Sequence, residues 1–138
     1  MPNTDLTLII GGVDFLPYVP DEGIEWSRND VDSSNAGELQ DGTVRRDRVI
    51  IRRKMTVKIN SLDTATMSRL QQAILPQWVE VQFLDPILGE VTTETFYSNN
   101  VAATAAKQTT RRDGTKVVKW KGFTFPLIAK GVAGYGAV

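Results

Sequence analysis

One segment of the chain constrains the fold more than any other, because apolar and basic residues alternate along residues 49–59 with a period of two. Successive side chains of a strand point to opposite faces, so this pattern predicts a strand with one core face and one basic face. The core parity holds Val49, Ile51, Met55, Val57 and Ile59, and the other parity holds Arg52, Lys54, Thr56 and Lys58. The strand could begin near Thr43. Arg53 breaks the apolar parity, which predicts a bulge or a rim position there.

Other alternating segments predict further β-structure. Residues 6–10 and 13–18 predict a hairpin around Gly11-Gly12, and prolines at 17 and 20 predict that its second strand is short or at an edge. Short apolar-polar alternations predict strands over residues 24–28, 78–84, 91–97 and 118–127, with residues 102–110 compatible with an extended chain. These strands follow one another through short turns, so we expect a mostly antiparallel β domain.

Glycine and aspartate mark the expected turns. Asp85-Pro86 through Gly89 predicts a hairpin loop, and Asp113-Gly114 predicts a hairpin with a type I′ turn. The apolar parity switches at Gly122, which predicts a β-bulge at that residue. The three glycines of residues 131–138 predict a flexible tail from about residue 130.

A single helix is expected, over residues 62–74. Apolar residues recur there at helical spacing, Ser61 is a plausible N-cap with Asp63 in the first turn, and Pro76 ends the pattern. The chain of 138 residues has no repeat, low-complexity tract or interdomain linker, so we expect one domain over residues 1–138.

The chain contains no His and no Cys. This composition excludes Ser-His-Asp and Cys-His catalysis, disulfides and Cys-ligated metals. Chemistry by carboxylates, Lys or Tyr stays open. The apolar run of residues 6–10 is too short for a membrane span or a signal-peptide core, so we expect synthesis in the cytoplasm and no membrane partner.

The net charge is zero, but the charges fall in four blocks. Residues 1–41 carry nine acids and one base, and residues 42–58 carry seven bases and one acid. Residues 59–106 carry five acids and one base, and residues 107–138 carry seven bases and one acid. Such blocks could neutralise each other within one subunit, or they could pair between copies in a head-to-tail ring.

Residues 29–42 are rich in Asp, Asn, Ser and Gly, which predicts a long loop. Asp30-x-Asp32-x-Ser34 resembles the start of a calcium loop, but Asn35 replaces the obligatory glycine and Asp41 the bidentate glutamate, so a hydrogen-bonded loop is favoured. The pairs Asp21-Glu22 and Asp30/Asp32 could in principle do acid-base work, although no nucleophile or pocket accompanies them. We expect no cofactor and no metal.

Two basic segments could follow a phosphate backbone. One is Arg45-Arg46-Asp47-Arg48 with Arg52, Arg53 and Lys54, and the other is Arg111, Arg112, Lys116, Lys119 and Lys121 with Trp120. The zero net charge favours the alternative, in which these residues keep an outward strand face soluble or pair with the acidic blocks.

Several motifs together resemble a small family of phage and prophage tail proteins of about 110–140 residues. The resemblance covers residues 6–129. Its marks are Gly11-Gly12, the stretch Trp26-Ser27-Arg28-Asn29-Asp30-Val31-Asp32-Ser33, Asp41-Gly42 before a basic strand, Asp85-Pro86 with Gly89, Tyr97-Ser98-Asn99-Asn100, and the ending Trp120-x-Gly122-Phe123-x-Phe125-Pro126-Leu127-Ile128. The chain departs from the family at Glu38, where an Arg is expected, and in the extra tail beyond Ala129.

The resemblance implies a structural virion protein with no catalytic residues, and an antiparallel β-sandwich or barrel of the tail-tube type with one flanking helix. It also implies a ring, six-fold in this class, at the distal tail or baseplate, where the ring continues the tail tube and DNA passes through its lumen. Other tail proteins (the tube, the tape measure and the baseplate hub) would be partners, and assembly would occur in the host cytoplasm. The alternatives are the major tube protein, a tail-completion or adaptor ring and a nucleic-acid-binding module, while a glycosidase would need a cleft with two carboxylates about 5–10 Å apart.

If the protein forms such a ring, we expect the loop of residues 29–42 and the strand of residues 43–59 to contact the neighbouring subunit or the stacked ring. Its candidate residues are Asp30, Asp32, Glu38, Asp41, Arg45, Arg46, Arg48, Arg52, Lys54 and Lys58.

Overall fold

Antiparallel strands account for most of the fold. The computed structural model describes residues 3–32, 37–38, 44–45 and 48–131, with side chains for residues 3–30 and 51–131. In chain order the elements are β1 (Leu8–Ile10), β2 (Val13–Asp14), a 3-10 turn (Leu16–Tyr18), β3 (Ile24–Asp32), β4 (Gly37–Glu38), β5 (Val44–Arg45), β6 (Arg48–Lys58), β7 (Leu62–Asp63), α1 (Thr64–Ile74), β8 (Val79–Asp85), β9 (Glu90–Tyr97), β10 (Ala105–Thr110), β11 (Lys116–Trp120) and β12 (Thr124–Ala129).

The largest sheet has seven strands in the order β2-β1-β8-β9-β12-β6-β3. A second sheet has the order β10-β11-β7, and β4 pairs with β5. All of these pairings are antiparallel, which confirms the expected mainly β fold with one helix. The described strands do not close a barrel, because β2 and β3 are the two edges of the large sheet.

The core lies on one face of the large sheet, under α1. Phe15, Phe83, Phe96 and Phe125 are fully buried there, and Phe15–Phe125 and Phe83–Phe96 make edge contacts with ring centroids 5.9 and 5.4 Å apart. The helix contributes Met67, Leu70 and Ile74. Burial of alternate residues in β8, and in β6 from Ile51 onward, confirms the period-two patterns of both strands.

The first hairpin has the expected form. Ile10 pairs with Val13, and the two residues between them, Gly11 and Gly12, have φ of +56° and +83°. Positive φ at both central positions defines a type I′ turn, which twists in the same sense as its strands. The second strand is short and at an edge, as the prolines predict.

The region around residues 29–48 differs from its expectation. β3 extends to Asp32 instead of ending near Arg28, and β6 begins at Arg48 instead of Thr43. The predicted loop is therefore wrong over residues 29–32, which pair with β6, and over residues 37–38, which pair with β5, because these ladders give polar residues backbone partners that composition does not reveal. The irregularity in the β3–β6 pairing lies between Val31 and Asp32, so of the two alternatives predicted for Arg53, a bulge or a rim position, the described ladder excludes the bulge.

Helix α1 is shorter than expected and has a different cap. Leu62 and Asp63 form β7, where they pair with Trp120 and Lys119, so the helix cannot begin at residue 62. Asp63 is the N-cap in place of Ser61, and its Oδ1 accepts a hydrogen bond from the Thr66 N–H at 2.9 Å. The C-terminal end at Ile74, two residues before Pro76, agrees with the prediction.

The Asp113-Gly114 hairpin forms with another turn type. Gly114 has φ of +88°, but Asp113 does not have a positive φ, which excludes type I′. The Gly114 N–H donates to the Arg111 carbonyl at 2.9 Å, and the Arg111 N–H donates to Thr115 at 2.8 Å. This is a three-residue loop with a left-handed glycine, the form that accompanies a type I turn.

The parity switch near Gly122 marks a change of sheet and not a bulge. β11 ends at Trp120 in the three-stranded sheet, and β12 begins at Thr124 in the large sheet. Between them the chain passes so close to Ile59 that a Cβ on Gly122 would lie 2.2 Å from the Ile59 carbonyl oxygen. The predicted tail falls outside the described residues from position 132 onward.

Candidate assembly surface

Strands β3 and β6 form a ribbon that is longer than the sheet supporting it. They pair from Ile24–Val57 to Asp32–Arg48, but β12 covers β6 only from Lys58 to Lys54. Residues 28–32 and 48–53, which we call the arm, therefore pair only with each other among the described strands. A two-stranded ribbon is marginally stable in water by itself, so the arm needs support from elsewhere.

Strand β3 is also an open edge. It is nine residues long and ends the strand order, so within the described chain no strand hydrogen-bonds to its outer side. The other edge, β2, has only two residues. A long open edge presents a row of unpaired backbone N–H and C=O groups, to which a strand of another chain can add.

Arg53 anchors the base of the arm. Its Nε donates to Oδ2 of Asp85 at 2.7 Å, and its Nη1 donates to Oε2 of Glu94 at 2.5 Å. The guanidinium also lies over the Phe83 ring, 5.6 Å from the centroid. The Arg53 side chain is only 9% exposed and that of Asp85 is fully buried, so this is an ion cluster inside the protein.

Asp85 is satisfied by a second set of donors. Its Oδ1 accepts hydrogen bonds from the N–H groups of Ile87 and Leu88, at 2.8 and 3.2 Å, in the tight turn between β8 and β9. One carboxylate thus connects the β8–β9 turn to the arm through Arg53. A buried charge is tolerated when it is paired and hydrogen-bonded in this way.

Arg28 and Asp30 lie on the same face of the ribbon as Arg53. Arg28 stands directly opposite Arg53, and its Nε lies 2.9 Å from Oδ1 of Asp30. Asp30 therefore balances the positive charge next to Arg53. Asp30 and Asp32, which resemble the start of a calcium loop in the sequence, belong to strand β3, and no cluster of metal-ligating side chains occurs among the residues that the structure describes.

The outer face of the ribbon carries the basic parity of β6. Lys54 and Lys58 are exposed there and Arg52 is half-buried. Arg52 stands opposite Asn29, and Lys54 opposite Ser27, whose hydroxyl donates to the Lys54 carbonyl at 3.2 Å. The Nε of Arg52 is a buried donor that lacks an acceptor among the described residues.

The structure brings some of the predicted interface residues together. Asp30, Arg52, Lys54 and Lys58 lie on the β3–β6 ribbon, on both of its faces. Asp32, Glu38, Arg45 and Arg48 have described backbone only, Asp32 opposite Arg48 and Glu38 and Arg45 in the β4–β5 pair. Asp41 and Arg46 fall outside the described residues.

Sequence reasoning missed Asp85 and Glu94 as partners of Arg53. One signal was available in the sequence. Asp85 occupies the next buried position after Val79, Val81 and Phe83 in β8, and Arg53 occupies a buried position of β6. Opposite charges at core positions of two strands predict a buried pair. Their meeting could not be predicted without the strand order.

No helix among the described residues is long and apolar enough to span a membrane. Comparisons with protein-family models, with curated proteins and with solved structures each find no match to this chain.

Proposed function

We propose that this protein is a structural component of a phage-type tail, which assembles into a ring at the distal tail or baseplate and continues the tail tube. The observation that carries the proposal is the open nine-residue edge of β3 and its continuation into the arm. An edge of this length, beside an arm whose two strands pair only with each other among the described strands, fits a surface that is covered by a neighbouring copy. The motifs that resemble the phage tail family support the same assignment.

In this assembly each subunit uses two different surfaces. A strand edge on one copy and a complementary surface on the next give a heterologous contact, and such contacts close into a ring when the rotation between copies allows it. Six-fold closure is the symmetry expected from the resemblance. The buried Arg53 cluster holds the arm in position before the neighbour binds, which lowers the ordering cost of assembly.

Particle size and shape test the proposal. The full chain, purified and measured by light scattering, is expected as an oligomer, and negative-stain images are expected to show rings with a central channel. Isolated rings support the distal ring, whereas long stacked tubes support the major tube protein instead. Monomers at all concentrations, together with the absence of this chain from tail particles, would contradict both.

A further inference from the structure

The β10–β11 hairpin is a second surface that the ring contact does not use. We define the basic hairpin as residues 105–121. All residues of β10 are exposed, and only the two-residue β7 pairs with β11 on its other side. The hairpin holds six basic residues and one acid, Asp113, and its bases are Lys107, Arg111, Arg112, Lys116, Lys119 and Lys121.

The bases of this hairpin lie close together on its two strands. Lys107 and Lys119 stand directly opposite each other in the ladder, an arrangement that is destabilising for like charges. Asp63 is opposite Lys119 on the far side, but its carboxylate caps α1, and Asp113 accepts the Thr115 N–H at 2.9 Å. In the described part of the chain none of the six bases forms an ion pair.

The N-terminal part of the chain has the opposite character. Residues 3–27 contain five acids and no base, and all five are exposed: Asp5, Asp14, Asp21, Glu22 and Glu25. Asp21 and Glu22 line a groove whose other walls include Leu6, Val19 and Ile24. We call this the acidic groove. Leu6 is 57% exposed on it, with Asp5 next in the chain.

We propose that the basic hairpin of one copy binds the acidic groove of a second copy. The two surfaces are complementary in charge, since the hairpin carries a net charge of five positive units, while the groove is lined by two acids, Asp21 and Glu22, and by no base. Burial against the groove would place acids beside the opposed Lys107 and Lys119 and would cover the exposed Leu6. A partner copy explains both surfaces with one contact, whereas a nucleic acid would leave the acidic groove without a role.

This contact rests on the proposed self-assembly and adds a second interface to it, which includes only the first residue of β3, Ile24. Because hairpin and groove are different surfaces, the contact is heterologous and can link copies within a ring or between stacked rings. Since both surfaces are exposed and charged, its strength should fall as salt concentration rises.

Charge reversal provides the test. The hairpin variant carries Lys107→Glu and Lys119→Glu, and the groove variant carries Asp21→Lys and Glu22→Lys, the two acids that line the groove. Lys107→Arg with Lys119→Arg is the matched control that keeps the charge. Sedimentation velocity of the full chain at about 0.1 M NaCl should show self-association about tenfold weaker or more in each reversal variant, with the control unchanged.

The chain carrying all four reversals should recover the association, because its hairpin has gained acids where its groove has gained bases, and opposite charges face each other again. The proposal is overturned if the hairpin variant associates like the unmodified chain, or if the four reversals fail to restore association while circular dichroism shows every variant folded. A labelled DNA duplex tests the alternative. If the unmodified chain binds the duplex and the hairpin variant does not, while self-association is the same in both, the hairpin binds nucleic acid instead. An unmodified chain that is monomeric at every concentration would contradict the proposed ring as well as the contact. Rings that persist in the hairpin variant would contradict only the contact between hairpin and groove.

Discussion

Arg53 and Asp85 are 32 positions apart in the chain, and the Nε of Arg53 donates to Oδ2 of Asp85 at 2.7 Å within the protein interior. Glu94 binds the same guanidinium from the neighbouring strand β9. The cluster thereby connects the neighbouring strands β8 and β9 to β6, which is separated from β9 by β12 in the sheet order. Stability and assembly of the protein should both depend on this cluster.

Replacing Arg53 by Met is expected to lower the free energy of unfolding by about 3–5 kcal/mol, because two carboxylates would lose their buried counter-ion. Urea unfolding followed by circular dichroism measures this loss. Arg52→Met is the matched control, since its side chain lies on the opposite face of β6, and it should change stability much less. A loss for Arg53→Met no larger than that of the control would show that the cluster is not important for folding.

Gly122→Ala should destabilise the fold by about 1–3 kcal/mol or more, because its Cβ would clash with the Ile59 carbonyl where the chain changes sheets. The obstacle is backbone and cannot rotate away. Gly131→Ala is the control, because nothing lies within 4 Å of a Cβ there. Equal thermal midpoints for the two variants would contradict the close approach.

Asp63 should make helix α1 sensitive to acid. Hydrogen bonds from Thr66 lower the pKa of its carboxyl from the ordinary 3.8, so its stabilising effect is present above the unfolded pKa and is lost as pH falls through the folded pKa. The difference in thermal midpoint between the unmodified chain and Asp63→Ala should therefore narrow below about pH 4. Asp63→Asn keeps a capping side chain and should stay closer to the unmodified chain at neutral pH. A difference that is constant with pH would contradict this role.

A variant in which Arg52, Lys54 and Lys58 are all replaced by Ala should distinguish a role in assembly from a role in nucleic-acid binding. These side chains share the outer face of β6, so their loss should weaken oligomer formation while circular dichroism remains unchanged. Light scattering measures the oligomer, and DNA binding at several salt concentrations measures the alternative. Loss of steeply salt-dependent DNA binding with an intact oligomer would favour the nucleic-acid reading.

The sequence was sufficient for elements whose pattern is local. The Gly11-Gly12 turn, the two faces of β6 and the end of α1 before Pro76 follow from neighbouring residues alone. The polar residues of β3 beyond Arg28 could not be assigned, because their strand conformation depends on pairing with β6 across the chain. For the same reason, Asp63 as helix cap and Gly122 as a change of sheet required the position of β11.

The candidate surface was predictable only in part. Lys54 and Lys58 follow from the parity of β6, and both are exposed as expected. The Arg53 cluster depends on the order of β8, β9, β12 and β6, which no local pattern contains. The open edge of β3 likewise depends on where the sheet ends.

The unequal lengths of β12 and β6 have a consequence for local opening. Lys54 is the last β6 residue that pairs with both neighbours, and Arg53 is the next residue outward. Amide hydrogen exchange should therefore be slow over residues 54–58 and faster over residues 48–52, with the step at Arg53. Arg53 then lies at the boundary between two units that unfold separately. The arm could therefore unfold locally while the rest of the domain stays folded.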